Sequence, residues 1–469
     1  MPEYDDSIKR SALIVACAGG FLVPFMSSSV NVALPFIGNN FGASAVLLGW
    51  VATSFLLASA AFLLPIGRLA DILGRRRVFL WGVILYGAAS LGAGLAPSLI
   101  ALIVARIIQG IGGAMVFGTN AAILVSVFPP QERGRVLGLN TAAVYVGLSL
   151  GPFVGGLLTQ SFGWRSIFLM NVPVCIFLAW LIFTRLRVEW AGARGEPFDW
   201  EGAVLYGIAL VALIFGATRL LLPGGLVTAL AGVAGLGIFL AWEYRSRHPI
   251  LNVHLFRGNR PFLFSNGSAL LNYSATAGSM FMLSLYLQYV RGFTPRGAGV
   301  VLLVQPVMQA VISPWAGRLS DRSEPRIVAS LGMALTALGL FTLAWISEET
   351  PLALVVAGLA LLGTGFGLFS SPNMNAIMSS VDRNHLGVAS AMAGTMRMSG
   401  QMMSMALVMV VMSLILGGAQ VTPALHAPFM KSLRLSYSLL AFLCLVGVFL
   451  SLARGRLDRS GKDSGSGVV

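Results

Sequence analysis

The strongest constraint on this chain is a succession of long apolar runs joined by short polar segments. A helix that crosses a bilayer's hydrocarbon core needs about 20 mostly apolar residues. Fourteen runs reach that length, at 12–35, 46–66, 78–96, 98–122, 134–160, 164–184, 201–220, 225–243, 262–290, 297–316, 327–346, 351–372, 387–416 and 434–454. Pro223-Gly224-Gly225 separates the seventh from the eighth, and the two fused would exceed 40 residues, so they are read as two spans. Only 10% of the 469 residues are charged, where a soluble domain carries about 25%. Lipid therefore solvates most of the surface. The expected fold is an all-α membrane protein of 14 transmembrane helices.

The net charge of +14 does not point to nucleic acid, because the basic residues sit in short joints between apolar runs and form no groove-reading helix or arm. They report orientation instead. With both termini in the cytoplasm, six of the 31 Lys and Arg fall near outer joints (Arg165, Arg219, Arg291, Arg296, Lys431, Arg434) and two lie inside runs, leaving 31 − 6 − 2 = 23 on the cytoplasmic side. That asymmetry fits the positive-inside rule and places the chain as a multi-pass protein of the cell (inner) membrane. Cys17, Cys175 and Cys444 stand singly in apolar runs, and the four histidines make no i, i+4 pair. No disulfide framework, metal or cofactor is expected. The first run is too long for a removable leader and lacks a small-residue cleavage site, so it is read as a retained span. The joints at 185–200 and 243–261 are too short to hold a soluble catalytic domain.

A charged motif recurs. Gly67-Arg68-Leu69-Ala70-Asp71-Ile72-Leu73-Gly74-Arg75-Arg76-Arg77 joins the second and third runs, and Gly317-Arg318-Leu319-Ser320-Asp321-Arg322 follows the tenth. The repeat divides the chain into a six-helix half at 1–187, an inserted helix pair at 188–248, a second six-helix half at 249–456, and a Ser/Gly-rich cytoplasmic tail at 457–469 expected to be disordered. In the first copy Gly67 and Gly74 permit close backbone approach and unusual φ angles. A topology anchor would explain the arginines, but not Asp71 or its return as Asp321. A conformational latch built on Gly67, Asp71, Arg75 and Asp321 explains both.

Two further strings carry information. Arg106-Ile107-Ile108-Gln109-Gly110 puts an arginine about nine residues, or roughly 13 Å, into the fourth run. Such a residue marks function by default, unless it snorkels to the outer surface. Gly147, Gly151 and Gly155 repeat every four residues in the fifth run for close helix contact, with Pro152 bending the helix.

Together these residues resemble the major facilitator superfamily. The Asp71 hairpin, Arg-x-x-Gln-Gly and Gly-x-x-x-Gly-Pro-x-x-Gly-Gly are similar to its motifs. Asn31-Val32-Ala33-Leu34-Pro35, Gly163-Trp164-Arg165 and Phe198-Asp199-Trp200-Glu201-Gly202 resemble the fourteen-span drug:proton antiporter branch. The resemblance covers nearly the whole chain. It implies two halves rocking about a central site, Asp71, Arg75 and Gly67 as a cytoplasmic latch of the outward-open state, Arg106 linked to proton transfer, and the span-five string as an exporter's motif. One position departs from it. Where that branch has an aspartate in span one, this chain has Met26, followed by Ser27, Ser28 and Ser29, and none of its 17 acids lies near the middle of a run.

Arg397, about ten residues into the thirteenth run, has two readings: a substrate or coupling residue favouring an anionic headgroup, or a structural one bonded to carbonyls and to neighbours such as Gln109, Asn120, Gln305 and Gln309. Met374, Met378, Met392, Met396, Met398, Met402, Met403 and Met405 form either a pliable pocket wall or ordinary packing. Met26, Asn31, Asn140, Tyr145, Gln305, Gln309, Asn373, Asn375 and Met396 are the candidates for a central cavity. The chain is thus expected to export amphipathic, drug-like molecules by proton antiport, acting as a monomer in the bilayer. The alternative is an exporter or facilitator of anionic amphiphiles, of fatty-acid or lysolipid type, not coupled to protons. An intramembrane enzyme would need converging His, Asp or Ser groups, and a sensor would need an appended soluble domain; neither is supplied.

Overall fold

The computed structural model describes residues 5–220, 222–381, 386–417 and 425–455. The 457–469 tail and the side chain of Asp321 lie outside the described residues. The described chain is helical, without strands. Its helices are α1 (Asp6–Phe41), α2 (Ala45–Leu73), α3 (Arg75–Gly94), α4 (Leu99–Val127), α5 (Pro130–Phe162), α6 (Arg165–Leu169), α7 (Asn171–Arg185), α8 (Trp200–Ala217) and α9 (Gly225–Arg245). There follow α10 (Arg260–Tyr273), α11 (Ala277–Leu285), α12 (Pro295–Leu302), α13 (Val304–Arg322), α14 (Pro325–Ala344), α15 (Leu352–Ser379), α16 (Leu386–Leu416) and α17 (His426–Ala453). Helix starts follow local chemistry. Ser44, Ser98, Asp199, Asn259 and Thr294 each accept a hydrogen bond from the backbone N–H three residues on, satisfying a donor the helix leaves orphaned.

Among the described residues, thirteen helical segments are long and apolar enough to cross a membrane, some of them kinked, as α6 with α7 and α12 with α13. The run at 262–290 is divided. The α10 ladder stops where Ser274 Oγ donates to Leu271 O (2.6 Å) and Thr276 Oγ1 to Tyr273 O (2.7 Å), side-chain bonds that compete with the helix. The chain resumes as α11 and ends in a π turn at Tyr286–Val290.

Packing sorts the helices into groups. α1 lies along α5, α2 along α4, and α3 against α4 and α7; α15 packs on α13 and α14, α14 on α17, and α10 on α16 and α17. The groups meet where α2 lies on α16 and α5 on α12. α8 and α9 pack on each other and touch the rest chiefly through α2. Only 17% of the apolar stretch of α9 is buried, so that helix is clothed by lipid. Asp199 ties the pair together, accepting from Trp242 Nε1 (3.0 Å) on α9 while capping α8. Glu243, fully buried, accepts from Leu251 N (2.8 Å).

Candidate functional site

Between the helix groups lie two adjoining voids that share Val144, Tyr145, Tyr273 and Arg397 in their walls. The smaller, about 100 Å³, is central and bordered by Asn31, Gln305, Gln309, Met398 and Gln401. The larger, about 660 Å³ and bordered by Phe117, Asn140, Asn373 and Met378, is of a size that holds a drug-like ligand. It runs toward the face carrying the Asp71 hairpin, reaching the last turn of α15 at Ile377 and Met378 and the first turns of α16 at Ser390.

The opposite face is interlocked. Ser284 Oγ donates to Asn31 O (2.6 Å), Gln288 Nε2 to Val32 O (2.9 Å), and Tyr289 OH to Pro35 O (3.2 Å), binding α11 and the π turn to α1. The span-five string faces two ways in this seal. Gly147, Gly151 and Gly155 press on α1, where a Cβ on Gly147 would stand 2.5 Å from Phe21 O and one on Gly155 2.8 Å from Ser29 Cα. Ser29 Oγ donates to Gly151 O (2.9 Å). Pro152 O meets Gly299 of α12, and Gly156 meets Pro295 O. Backbone rests on backbone across this crossing, so the glycines make the closure possible. Trp164 Nε1 and Arg165 donate to Asn40 Oδ1 at the same face.

At the hairpin, α2 runs helical to Leu73 and the reversal falls on Gly74 alone, at φ 115°. Gly67 is helical with no atom near its Cβ position, so the close approach expected of it is not made in this arrangement. Asp71 Oδ1 accepts from Arg75 Nε (2.9 Å), and Arg75 reaches across to Ser126 Oγ (2.7 Å) and Ala122 O (3.1 Å) on α4. The segment 186–199 straps over the turn. Arg75 N donates to Trp190 O, Ala193 N to Asp71 O, Arg76 N to Glu189, and Arg68 pairs with Glu196 at 2.6 Å. The hydrogen bond from Arg68, and then its charge, hold the Glu196 carboxyl below its usual range.

Three arginines lie deep among the helices, and their surroundings differ. Arg106 is 1% exposed. Its Nε donates to Val51 O (3.0 Å) and its NH1 to Gln109 Oε1 (2.5 Å), its guanidinium stacks on Phe55, and Gln109 passes the chain on to Ser90 Oγ (2.7 Å). It borders neither void. Arg454, absent from the sequence expectations as a buried residue, is also 1% exposed. It donates to Ser451 O, Ser451 Oγ, Ser265 Oγ and Asn373 Oδ1. Arg397 is half-buried, borders both voids and stacks on the Phe117 ring at 4.3 Å. Among the described residues it has no hydrogen-bond or carboxylate partner; the bonds to Gln109, Asn120, Gln305 and Gln309 weighed from the sequence are not made.

Of the expected cavity residues, Asn31, Tyr145, Gln305, Gln309 and Asn373 border the voids, as do Asn140 and Asn375. Met26 does not: it is fully buried, with its Sδ accepting from Asn171 Nδ2 (2.9 Å). Met396 packs instead against the buried cluster of Ala269, Ala329, Met333 and Phe369, and Met398 takes the cavity-facing position. Of the eight methionines noted, Met374, Met378 and Met398 border a void, while Met392, Met402 and Met405 are buried in the core. Phe117 and Tyr273 were missed, since one aromatic in an apolar run carries no signal of which way it faces.

A family model described as Major Facilitator Superfamily matches residues 16–405. The chain belongs to that superfamily. Within it, the chain is 33% identical over 394 residues to the multidrug resistance protein Stp of Mycobacterium tuberculosis, covering 83% of this chain and 73% of Stp. It is 29% identical over 397 residues to the riboflavin transporter RibZ of Clostridioides difficile, covering 83% and 85%. Among solved structures, a POT family transporter in complex with a thioalcohol-conjugated peptide superposes with a TM-score of 0.70 at 15% identity, covering 94% of this chain and 95% of that one. The protein is therefore a multi-pass transporter of the major facilitator fold.

Proposed function

We propose that this transporter exports amphipathic, drug-like molecules from the cytoplasm by alternating access. The observation that carries the reading is the 660 Å³ cavity, which runs to the hairpin face while Pro152, Gly156, Pro295 and Gly299 interlock at the other. In this reading the hairpin face is cytoplasmic, as the distribution of basic residues favours, and a molecule enters from there. α1–α7 and α10–α17 act as two six-span halves, with α10 and α11 together making the fourteenth span and α8–α9 inserted between the halves. Separation of α5 from α12, with approach of the halves at the hairpin, would pass the molecule outward. The likeness to Stp supports export. Proton entry is the coupling implied by the antiporter branch, and Asp71, paired with Arg75 at the hairpin, is the acid best placed to link proton and gate.

Cells expressing the chain should accumulate less of at least one amphipathic dye, in a panel spanning anionic, neutral and cationic dyes, than control cells, and collapsing the proton gradient should restore accumulation. Equal accumulation across a panel of amphipathic dyes, with the protein present in the membrane, would remove the export reading.

A further inference from the structure

We propose that the cavity takes a monoanionic amphiphile, its carboxylate or sulfonate head held by Arg397 and its apolar body lying on Phe117, Tyr145 and Met398. This rests on the export reading and narrows it to one class of substrate.

The first ground is a census of charge. Among the described residues bordering the two voids there is no Asp, Glu, Lys or His, and Arg397 is the one charged side chain. A lone cation in a low-dielectric wall sets the sign of what binds beside it. The second is the contrast with the other buried arginines. Arg106 and Arg454 are met by carbonyl, amide and hydroxyl oxygens and border neither void, so their donors are spent on structure. Arg397 has five N–H donors and, among the described residues, no oxygen to receive them. Its stacking on Phe117 fixes the plane of the fork while leaving its edge open, the geometry that matches a two-oxygen anion head. The third is amphipathy. The voids are walled by aromatic, aliphatic and thioether groups such as Phe117, Tyr145 and Met398, with neutral polar groups such as Asn31, Gln305, Gln309 and Gln401, so an apolar body is accommodated and a second charge is not.

A consequence follows for energetics. A monoanion leaving a negatively charged interior moves with the field, and the potential alone supports an outward gradient of about 50-fold per 100 mV. Export of such a molecule does not require a titrating acid in the cavity, which accounts for Met26 in span one. This electrical contribution adds to any proton exchange.

A matched pair of probes tests the proposal: 1-anilinonaphthalene-8-sulfonate, an anion, and N-phenyl-1-naphthylamine, its uncharged parent. With the full chain in lipid nanodiscs, measured against protein-free nanodiscs, the anion should bind at least ten-fold more tightly than the parent. Arg397→Gln should erase that preference while leaving the parent's affinity within two-fold, which also reports an intact cavity, and Arg397→Lys should keep part of the preference. Equal affinity of the wild-type chain for both probes overturns the proposal without any variant, as does a preference that survives Arg397→Gln. Flux is scored separately. If the anion is preferred through Arg397 but neither probe crosses proteoliposomes, the export reading fails and the binding assignment stands; if the parent is transported without any preference for the anion, the reverse holds.

Discussion

Replacing Gly299 with alanine should open the far face of the transporter. A Cβ at Gly299 would overlap the carbonyl oxygen of Pro152 and stand 2.9 Å from its carbonyl carbon and 3.3 Å from Phe153 Cα. These are backbone atoms of α5, which cannot rotate aside as a side chain can. α12 must therefore draw back, and overpacking of this kind costs about 1–3 kcal/mol. The cost falls on the far-closed arrangement, where α5 and α12 touch, and is relieved when the two helices separate as the export mechanism proposes. The equilibrium should then move toward the far-open arrangement by about 5- to 150-fold. Spin labels at Phe162 and Arg296, on the two sides of the seal, would report the shift as a longer distance population in Gly299→Ala. Gly156→Ala, whose Cβ would stand 2.9 Å from the Pro295 carbonyl carbon, should do the same from the other side. Gly237→Ala, with nothing within 4 Å, should change nothing. A folded Gly299→Ala protein with the parent's distance distribution would refute the idea that this backbone crossing holds the far face shut.

Arg454→Ala would leave Asn373 Oδ1 and Ser265 Oγ without their buried donor, at a cost of about 1–3 kcal/mol; thermal unfolding should fall and amide exchange in α10 should quicken. Asp71→Asn removes an ion pair whose partners are 23% and 37% exposed, so stability should change by less than about 1 kcal/mol while transport slows; an unchanged flux would deny the hairpin its gating role. The Glu196 carboxyl is held below its usual range by Arg68, so its contribution is present above the unfolded value of about 4.3 and lost as pH falls through the folded one. Protection factors of the amides at 189–199, corrected for the intrinsic pH dependence of exchange, should accordingly fall on acidification below that value and stay level between pH 6 and 8, and Glu196→Gln should abolish the acid step.

Most spans were legible because lipid demands a length, and the joints because polar residues interrupt the apolar runs. What lay within the spans was less so. The break between α10 and α11 comes from hydroxyls of Ser274 and Thr276 bonding to nearby carbonyls, and such residues occur in unbroken apolar runs too. Arg454 reads as one more basic residue at the end of a run, since its partners Ser265 and Asn373 stand 189 and 81 residues away. Met396 and Met398 could not be told apart because both flank Arg397 on α16, whose apolar residues form no one-sided stripe. Arg397 was identified by its cost in a membrane, and only the oxygens gathered around Arg106 and Arg454 distinguish it from arginines that hold helices together.

Directional export is tested most directly by reconstituting the purified chain in liposomes in one orientation and following an amphipathic dye from the hairpin face to the far face. With the protein as sole component, flux should exceed that of protein-free liposomes, saturate with dye, rise when the far face is made more acidic than the hairpin face, and stop when a disulfide between Cys-substituted Gly156 and Arg296 locks the seal. Flux no faster than through bare lipid, or flux that the locked protein sustains, would contradict export by alternation of the two faces.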